Sequence, residues 1–197
     1  MRALAVLCCL LAAPALADEA ALARAKKIVA GSCFLCHGMQ GESATELSPR
    51  LAAQNRNYIA KQLANFKSGE RRSSAMQPMV ATLTPQDMQA LGVYFSRQKS
   101  EPHPTADARL AAQGKIIYRL GGKATEVAAC IGCHGDGGHG SDQLPRLAGQ
   151  VASYLYEQIR NFGTRARTND NAVMHTIAAK MTEPEIRAVA AYLSGLD

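Results

Sequence analysis

The sequence predicts an all-α protein built from two tandem domains. The 197-residue chain repeats itself, so that most of its first half can be laid on its second half. In each half the apolar residues recur with a helical period, and no alternating strand pattern persists. Each half also contains one Cys-x-x-Cys-His motif, at residues 33–37 and 130–134. We therefore expect domains at residues 18–98 and 106–197, joined by a polar linker with two prolines at residues 99–105.

The two Cys-x-x-Cys-His motifs have the spacing that attaches a c-type haem. On a helical turn, positions i, i+3 and i+4 share one face, so both thiols can reach the vinyl groups of one porphyrin while the histidine reaches its iron. The first motif provides Cys33, Cys36 and His37, and the second provides Cys130, Cys133 and His134. A thioredoxin-like pair needs a βαβ setting, and a zinc site needs further ligands at matched spacing. The motifs therefore predict two covalently bound haem c groups, one in each domain.

Three longer helices are expected in each half. In the first half they cover residues 20–30, 56–67 and 86–97, and in the second half residues 106–120, 152–162 and 184–193. The last helix of each half begins with a capping signal, Thr84 with Asp87 and Thr182 with Glu185. A domain of this size buries only a small apolar core, so we expect the haem to supply the missing apolar volume.

The repeat also selects a sixth ligand for each iron among the seven methionines. Methionine is the usual partner of histidine in electron-carrying c-type haems, where its thioether raises the reduction potential. When the halves are aligned, Met76 faces Met174, whereas the other methionines after the signal peptide face aliphatic or surface residues. A ligand must be retained in both copies, so Met76 and Met174 are predicted to bind iron. Met79 stays an alternative first ligand. A further alternative is a bis-histidine site that uses His103, His139 or His175.

A proline lies a short distance after each motif histidine. Pro49 is 12 residues after His37, and Pro145 is 11 residues after His134. A carbonyl there can accept the Nδ1–H of the ligating imidazole, which fixes the ring and increases its basicity. Each proline opens a repeated Pro-Arg-Leu-Ala segment, and its arginine is a candidate to neutralise a haem propionate. Those arginines are Arg50 and Arg146. The repeated tyrosines, Tyr58, Tyr94, Tyr154 and Tyr192, are expected to pack, with a hydroxyl available to a propionate.

The N-terminus has the pattern of a cleavable signal peptide at residues 1–17. A positive start is followed by a short apolar run and an Ala-x-Ala end, which predicts cleavage after Ala17. The apolar run is too short to span a bilayer. Cys8 and Cys9 lie inside it, but Leu7 precedes them where a lipoprotein signal has small residues, so lipid anchoring is not favoured. The four remaining cysteines all belong to the motifs, and export of a haem c protein indicates the periplasm.

The net charge of +6 does not indicate a nucleic-acid-binding protein. No run of basic residues is interleaved with aromatic residues, and four haem propionates would offset most of the charge. We expect the charged side chains to lie on a solvated surface, with a mildly basic docking face on the first half. We expect a monomer, and a peripheral contact with a membrane is compatible with this interpretation.

With these residues in place, the sequence resembles the dihaem cytochrome c4 family of class I cytochromes c. The resemblance covers essentially the whole chain after the signal peptide. The resemblance is clearest in the two Cys-x-x-Cys-His-Gly motifs and in the Pro-Arg-Leu-Ala-(Ala/Gly)-Gln segments that begin at Pro49 and Pro145. It extends to the helix that contains Lys61-Gln62-Leu63, to Met76 and Met174, and to Arg167-Thr168-Asn169-Asp170. The first domain departs slightly, with Arg71-Arg72-Ser73-Ser74 where that last pattern falls.

The resemblance implies two cytochrome-c-like domains, each wrapped round its haem and packed about a pseudo-twofold axis with propionate edges facing. It also implies transfer of electrons from a quinol-oxidising cytochrome bc complex to a terminal oxidase. Because both irons are expected to be closed and no repeated acid–base pair or nucleophile accompanies them, we expect an electron carrier and not an enzyme. The main alternative is the dihaem subunit of an enzyme complex such as a flavocytochrome c sulfide dehydrogenase. A dihaem peroxidase needs an open iron position, which two methionine-ligated irons do not leave.

Overall fold

The computed structural model describes residues 13–105 and 107–197. Its helices are α1 (Ala13–Ile28), α2 (Phe34–His37), α3 (Arg56–Ser68), α4 (Met76–Val80), α5 (Pro85–Ser96), α6 (Ala108–Leu120), α7 (Ile131–His134), α8 (Ala152–Gly163), α9 (Val173–Ala178) and α10 (Glu183–Ser194). A π-helical segment, Val29–Cys33, joins α1 to α2. Within the described residues, β-type pairing is an isolated bridge between Gly122 and Val127. The predicted all-α fold is confirmed.

The six helices predicted from periodicity are all present, as α1, α3, α5, α6, α8 and α10. The ends of α3, α5, α8 and α10 lie within a residue or two of the prediction. The short helices α4 and α9 and the π-helical segment were not predicted. Each is too short to show a helical period, and short helices depend on tertiary packing for their stability. The described part of the chain includes no helix long and apolar enough to cross a membrane.

Most of the predicted signal peptide, with Cys8 and Cys9, lies outside the described residues. Helix α1 begins at Ala13 and so includes the predicted cleavage point after Ala17. The signal peptide stays a prediction.

In the first domain, α1 and α3 pack against α5. Helix α5 contributes a stripe of buried residues three and four positions apart, including Met88, Leu91 and Phe95. Val29 and Val80, from the segments before the first motif and after Met76, are fully buried in the same cluster. The core therefore anchors both segments that carry candidate iron ligands.

The second domain has the same plan, with α6 and α8 packed against α10. Gly114 permits a close crossing of α6 and α10, because a Cβ at this position would overlap the Ala188 carbonyl oxygen. Tyr118 is fully buried beside this crossing, and its ring lies 5.6 Å from the ring of Tyr192. Its hydroxyl donates to the Gly135 carbonyl, next to the second motif histidine (2.5 Å).

The predicted capping signals of α5 and α10 are confirmed. The Asp87 carboxylate accepts from the Thr84 amide (2.8 Å), and the Glu185 carboxylate accepts from the Thr182 amide (2.8 Å). Proline in the first turn of each helix has no amide hydrogen that would need a partner there. Local sequence thus determines where both helices start.

The two domains meet through reciprocal polar contacts, as a pseudo-twofold relation requires. Gln54 of the first domain binds the backbone of Arg146, and Gln150 of the second domain binds the backbone of Arg50. Arg71 donates to the Tyr154 hydroxyl, and Arg167 donates to the Tyr58 hydroxyl. The same pairs therefore occur in both directions across the interface.

Residues 99–105, between α5 and α6, are irregular, as the linker prediction expected. Its Ser100 is buried, and the amide of His103 donates to the Ser194 carbonyl of the second domain (2.8 Å). The linker therefore lies against the second domain. The domain boundaries at residues 98 and 106 stay predictions.

Candidate haem-binding sites

Each Cys-x-x-Cys-His motif forms a helical turn, in agreement with the sequence argument. Cys33 ends the π-helical segment and α2 follows it, while Cys130 precedes α7 directly. Cys33 and Cys130 are half-buried, whereas Cys36 and Cys133 are exposed. Burial raises the pKa of Cys33 and raises that of Cys130 to about 11. These surroundings suit an uncharged sulfur, as in a thioether to a porphyrin.

The motif histidines are buried, each with 7% of its surface exposed. The Nδ1 of His37 lies 2.9 Å from the Pro49 carbonyl oxygen, and the Nδ1 of His134 lies 3.4 Å from the Pro145 carbonyl oxygen. A carbonyl oxygen only accepts, so Nδ1 carries the proton and Nε2 is the nitrogen left to bind iron. The contact predicted for the two prolines is present in both domains.

Burial lowers the pKa of His37 and of His134, and the proline carbonyls oppose this shift only in part. The imidazoles are therefore neutral at pH 7, which is the protonation state that a metal-ligating histidine needs. The chemistry of the histidine thus fits iron in both domains.

The two predicted methionine ligands occupy corresponding places. Met76 begins α4, and Met174 is the second residue of α9. Both are half-buried, and Met76 packs against the same apolar cluster as Cys33. Met79, the alternative ligand, lies on the outer side of α4 with 49% of its surface exposed. The burial favours Met76, and the ligand assignment itself stays a prediction.

The other histidines use a ring nitrogen on backbone carbonyls. The Nδ1 of His103 contacts the Glu101 carbonyl (2.9 Å), and the Nε2 of His139 contacts the Asp197 carbonyl (2.8 Å). The Nδ1 of His175 contacts the Phe162 carbonyl (3.0 Å). These contacts give no support to a bis-histidine site.

Two pairs of tyrosines, expected to pack with a hydroxyl available to a propionate, have different roles. The hydroxyls of Tyr58 and Tyr154 bind arginines across the interface. The hydroxyl of Tyr94 donates to the Met39 carbonyl (2.7 Å), just beyond the first motif. Tyr192 packs in the second core against Tyr118, as predicted.

The two arginines predicted to neutralise propionates differ from each other. Arg50 directs its Nε to the Glu42 carbonyl (3.1 Å) and its Nη1 to the Gly149 carbonyl. Arg146 has a buried Nε that is without a hydrogen-bond partner, the only such side-chain nitrogen or oxygen in residues 19–105 and 107–197. Its Nη2 lies 3.9 Å from the Asp197 carboxylate. Arg50 is thus committed to backbone oxygens, and Arg146 retains a buried donor.

A haem c group fits these residues. The donor set in each domain is two thiols one helical turn apart, a neutral imidazole with Nε2 free, and a half-buried thioether. In the second domain, the buried Nε of Arg146, adjacent to Pro145, is a donor that an anionic group such as a propionate would satisfy.

No role is predicted from the sequence for the interface residues Gln54, Gln150, Arg71 and Arg167. A signal was available, because each glutamine ends the repeated Pro-Arg-Leu-Ala-(Ala/Gly)-Gln segment. Arg71 and Arg167 also stand nine residues after Gln62 and Gln158, respectively, in both halves. Each of the four has a partner in the opposite domain, so only the docked structure shows this role.

Comparison with known proteins agrees with this geometry. The family model "Cytochrome c" matches residues 118–197, and the model "Cytochrome C oxidase, cbb3-type, subunit III" matches residues 20–95. The two halves are cytochrome c domains, and the chain is a c-type cytochrome with two covalently bound haem c groups.

Its relatives identify the family more closely. Cytochrome c4 of Thiocapsa roseopersicina is 41% identical over 84% of this chain and 88% of its own length. A crystal structure of reduced recombinant cytochrome c4 from Pseudomonas stutzeri superposes with a TM-score of 0.84 at 34% identity, covering 89% of this chain and 98% of that one. A thiosulfate dehydrogenase electron acceptor of Thiomonas intermedia is 35% identical over 84% of this chain and 78% of its own length. The chain belongs to the cytochrome c4 family, whose members are electron-transfer proteins and not enzymes.

Proposed function

We propose that the chain is a periplasmic electron carrier in which each domain holds one six-coordinate haem c. Cys33 and Cys36 attach the first haem, with His37 and Met76 as its iron ligands. The second haem uses the corresponding set, which is Cys130, Cys133, His134 and Met174. Each haem supplies a one-electron Fe(III)/Fe(II) couple, and the residues of the chain fix its ligands and exclude water from the iron.

The observation that carries this proposal is the buried histidine of each motif, with its Nδ1–H directed at a proline carbonyl. This arrangement fixes the ring and leaves Nε2 free for iron. The partly buried thioethers of Met76 and Met174 would close the opposite side. Two closed irons favour outer-sphere electron transfer over binding of a substrate.

The first test is an optical spectrum of the purified oxidised and reduced protein, with a pyridine haemochrome assay. We expect two haems c per chain and the weak long-wavelength band of methionine-bound ferric iron. A high-spin signal from one haem, or binding of carbon monoxide by the untreated protein, would instead indicate an open coordination position on the iron. Either result would contradict the proposal of an electron carrier.

For the route of electrons, we propose transfer from a quinol-oxidising cytochrome bc complex to a terminal oxidase. The first half of the chain after the predicted cleavage point, residues 18–104, carries eleven Lys and Arg against seven Asp and Glu, and this basic excess supports docking to acidic faces of partners through salt-sensitive encounters. Stopped-flow mixing with each purified complex tests this route. Reduction by the bc complex and oxidation by the oxidase, both slowed by added salt, are expected.

A second candidate donor is a thiosulfate dehydrogenase, which the similarity to the Thiomonas intermedia electron acceptor favours. The same stopped-flow experiment separates the two routes when thiosulfate and its dehydrogenase replace the quinol and the bc complex. Reduction by thiosulfate alone would mean a non-enzymatic reaction, so the dehydrogenase is omitted in a control. A role as the cytochrome subunit of a flavocytochrome c sulfide dehydrogenase predicts co-purification with a flavoprotein.

The periplasmic location rests on the predicted signal peptide and on the covalent haem chemistry. N-terminal sequencing of the protein from its host is expected to begin at Asp18, after cleavage at Ala17. A chain that retains residues 1–17, or that carries lipid on Cys8 or Cys9, would contradict this proposal.

A further inference from the structure

The interface contains two hydrogen-bonded chains that cross from one domain to the histidine of the other. The amide of Arg50 donates to the side-chain oxygen of Gln150 (2.7 Å), and Gln150 Nε2 donates back to the Arg50 carbonyl (2.9 Å). The amide of Arg146 donates to the side-chain oxygen of Gln54 (2.8 Å), and Gln54 Nε2 donates back to the Arg146 carbonyl (2.9 Å). Both glutamines are buried, each with 5% of its surface exposed.

The Arg50 amide belongs to the same peptide unit as the Pro49 carbonyl, which accepts from His37 Nδ1 (2.9 Å). The Arg146 amide likewise shares a peptide unit with the Pro145 carbonyl, which accepts from His134 Nδ1 (3.4 Å). In a planar trans peptide the N–H and the C=O are conjugated and point in opposite directions. Each peptide unit is therefore bonded to a glutamine on one side and to a histidine on the other.

Such a chain of hydrogen bonds is cooperative. When the N–H of a peptide donates to a glutamine oxygen, the C=O of the same peptide becomes a better acceptor. It then holds the histidine Nδ1–H more strongly, and the imidazole becomes a more basic ligand. A more basic ligand stabilises Fe(III) over Fe(II) and lowers the reduction potential.

We propose that Gln150 of the second domain is a positioning residue that sets the reduction potential of the first haem, and that Gln54 of the first domain does the same for the second haem. This inference rests on the proposed ligation of iron by His37 and His134. It makes each domain a part of the other domain's iron site, so that docking of the domains is coupled to the potentials of both haems.

The side-chain oxygens are held in place for this role. The oxygen of Gln54 also accepts from the Asn55 amide (2.9 Å), and that of Gln150 accepts from the Val151 amide (3.0 Å). Each oxygen is thus oriented by its own backbone before it meets the opposite domain, which reduces the entropy lost on forming the bond.

The test is a redox titration of the holoprotein followed by NMR, with haem resonances assigned to each domain through the attached cysteines. Gln54→Met removes both hydrogen bonds to Arg146, together with the one from the Asn55 amide, and keeps the length of the side chain. We expect the second haem to show a roughly threefold change in its oxidised-to-reduced ratio at fixed potential, about 28 mV upward, with no change in the first. Gln150→Met should raise the reduction potential of the first haem only. The shift should be larger than that of the second haem in Gln54→Met, because the His37 contact with its proline carbonyl is the shorter one.

Two matched controls break interface contacts that do not reach these peptide units. Asn55→Ala removes the bonds from Asn55 Nδ2 to the carbonyls of Leu144 (2.7 Å) and His139 (3.1 Å). Ser153→Ala removes the bond from Ser153 Oγ to the Glu46 carbonyl (2.5 Å). Neither control should move either potential. Equal shifts of both haems, a shift of the haem in the mutated domain, or no shift in either glutamine variant would overturn the inference.

Hydrogen exchange of the His134 Nδ1 proton is a second measurement, which keeps the test valid if Gln54→Met also disturbs packing. Gln54→Glu keeps an oxygen to accept from the Arg146 amide and loses the Nε2 donor. We expect it to retain the slow exchange of the His134 Nδ1 proton, which Gln54→Met should accelerate. Fast exchange in both variants would overturn the inference. If the His134 ring proton showed no paramagnetic shift in the wild type, the proposed iron ligation would have failed, and the exchange comparison would still test the hydrogen-bonded chain.

Discussion

The hydroxyl of Tyr154 in the second domain accepts a hydrogen bond from the guanidinium of Arg71 in the first, with 2.8 Å between oxygen and Nη2. Burial acts to raise the pKa of Tyr154, but the charges of Arg71 and Arg167 outweigh it and lower that pKa. The pair has a counterpart, since Arg167 donates to the Tyr58 hydroxyl (3.0 Å). A repeated residue pair has thus become a reciprocal domain contact.

The two arginines share their acceptors. The oxygen of Gln62 accepts from Arg71 Nη1 (2.8 Å) and Arg167 Nη2 (3.0 Å), and the oxygen of Gln158 accepts from Arg71 Nη2 (2.9 Å) and Arg167 Nη1 (2.8 Å). Each guanidinium also lies over a phenylalanine of its own domain, at 4.5 Å for Arg71 and 4.4 Å for Arg167. The network is buried and joins both domains, so its disruption should be costly.

Arg71→Ala should destabilise the holoprotein by about 2–4 kcal/mol, because it leaves the acceptors at Gln62, Gln158 and Tyr154 short of a donor. Guanidinium chloride unfolding followed by circular dichroism measures this change. Arg72→Ala, at an exposed neighbouring position, is the matched control and should stay within about 0.5 kcal/mol of wild type. Equal effects of the two substitutions would mean that the network adds no stability.

Met76→Ala and Met174→Ala should each remove about half of the long-wavelength methionine–Fe(III) band, because each opens one iron site. Their reduction potentials should fall for one haem only. Met79→Ala, which truncates an exposed side chain on the same helix as Met76, should leave the band intact. Loss of the band in Met79→Ala and its retention in Met76→Ala would reverse the assignment of the first ligand.

Gly114→Ala should destabilise the second domain by about 3 kcal/mol or more, since the added methyl group overlaps the Ala188 carbonyl oxygen at the crossing of α6 and α10. Thermal unfolding of the holoprotein measures the loss. In the control Gly31→Ala, the added Cβ meets no atom within 4 Å, so little change is expected. A wild-type melting temperature for Gly114→Ala would show that the helices can separate at no cost.

The ionisation of Asp87 should make part of the free energy of unfolding depend on pH in the acid range. The Arg24 guanidinium holds the pKa of the buried Asp87 carboxyl well below its usual range, with Thr84 contributing. A depressed folded-state pKa stabilises the fold above the unfolded value of about 3.9, and this stability is lost as the pH falls towards the folded value. Asp87→Asn should therefore cost about 1 kcal/mol at pH 7, and the difference from wild type should shrink below about pH 4.

Glu185 is the matched position in α10. Burial acts to raise the pKa of Glu185, but hydrogen bonds from Thr182 and Thr125 lower it overall. With no arginine among those causes, Glu185→Gln should show a weaker dependence on acid than Asp87→Asn. Denaturant titrations at pH 7 and pH 3 compare the two variants, and a constant Asp87→Asn difference at both pH values would contradict the linkage.

Arg146→Gln should lower the potential of the second haem, on the order of 1 kcal/mol or tens of millivolts, if its unpartnered buried Nε pairs with a propionate there. Loss of a nearby positive charge favours Fe(III). Arg50→Gln is the control, because Arg50 already donates to the Glu42 and Gly149 carbonyls. Spectroelectrochemistry of both variants makes the comparison, and a larger effect of Arg50→Gln would contradict the assignment.

Much of the fold could be predicted because it depends on short-range patterns. Periodicity located the six longer helices, and the pairs Thr84 with Asp87 and Thr182 with Glu185 marked two helix starts. The contact of His37 with Pro49 spans twelve residues and recurs in the second half, so the repeat made it visible. The helices α4 and α9 were missed because they are too short to show a period.

The sequence by itself therefore determined the two all-α domains, their haem motifs and the proline carbonyl behind each histidine. Only the tertiary structure decided that Gln54 reaches the Arg146 backbone, 92 positions away, and that Tyr58 and Tyr154 bind the arginines of the opposite domain. The physical reason is that a side-chain amide or hydroxyl can bind many partners. Which partner it binds is set by the docking of two separately formed cores, and no local spacing encodes that geometry.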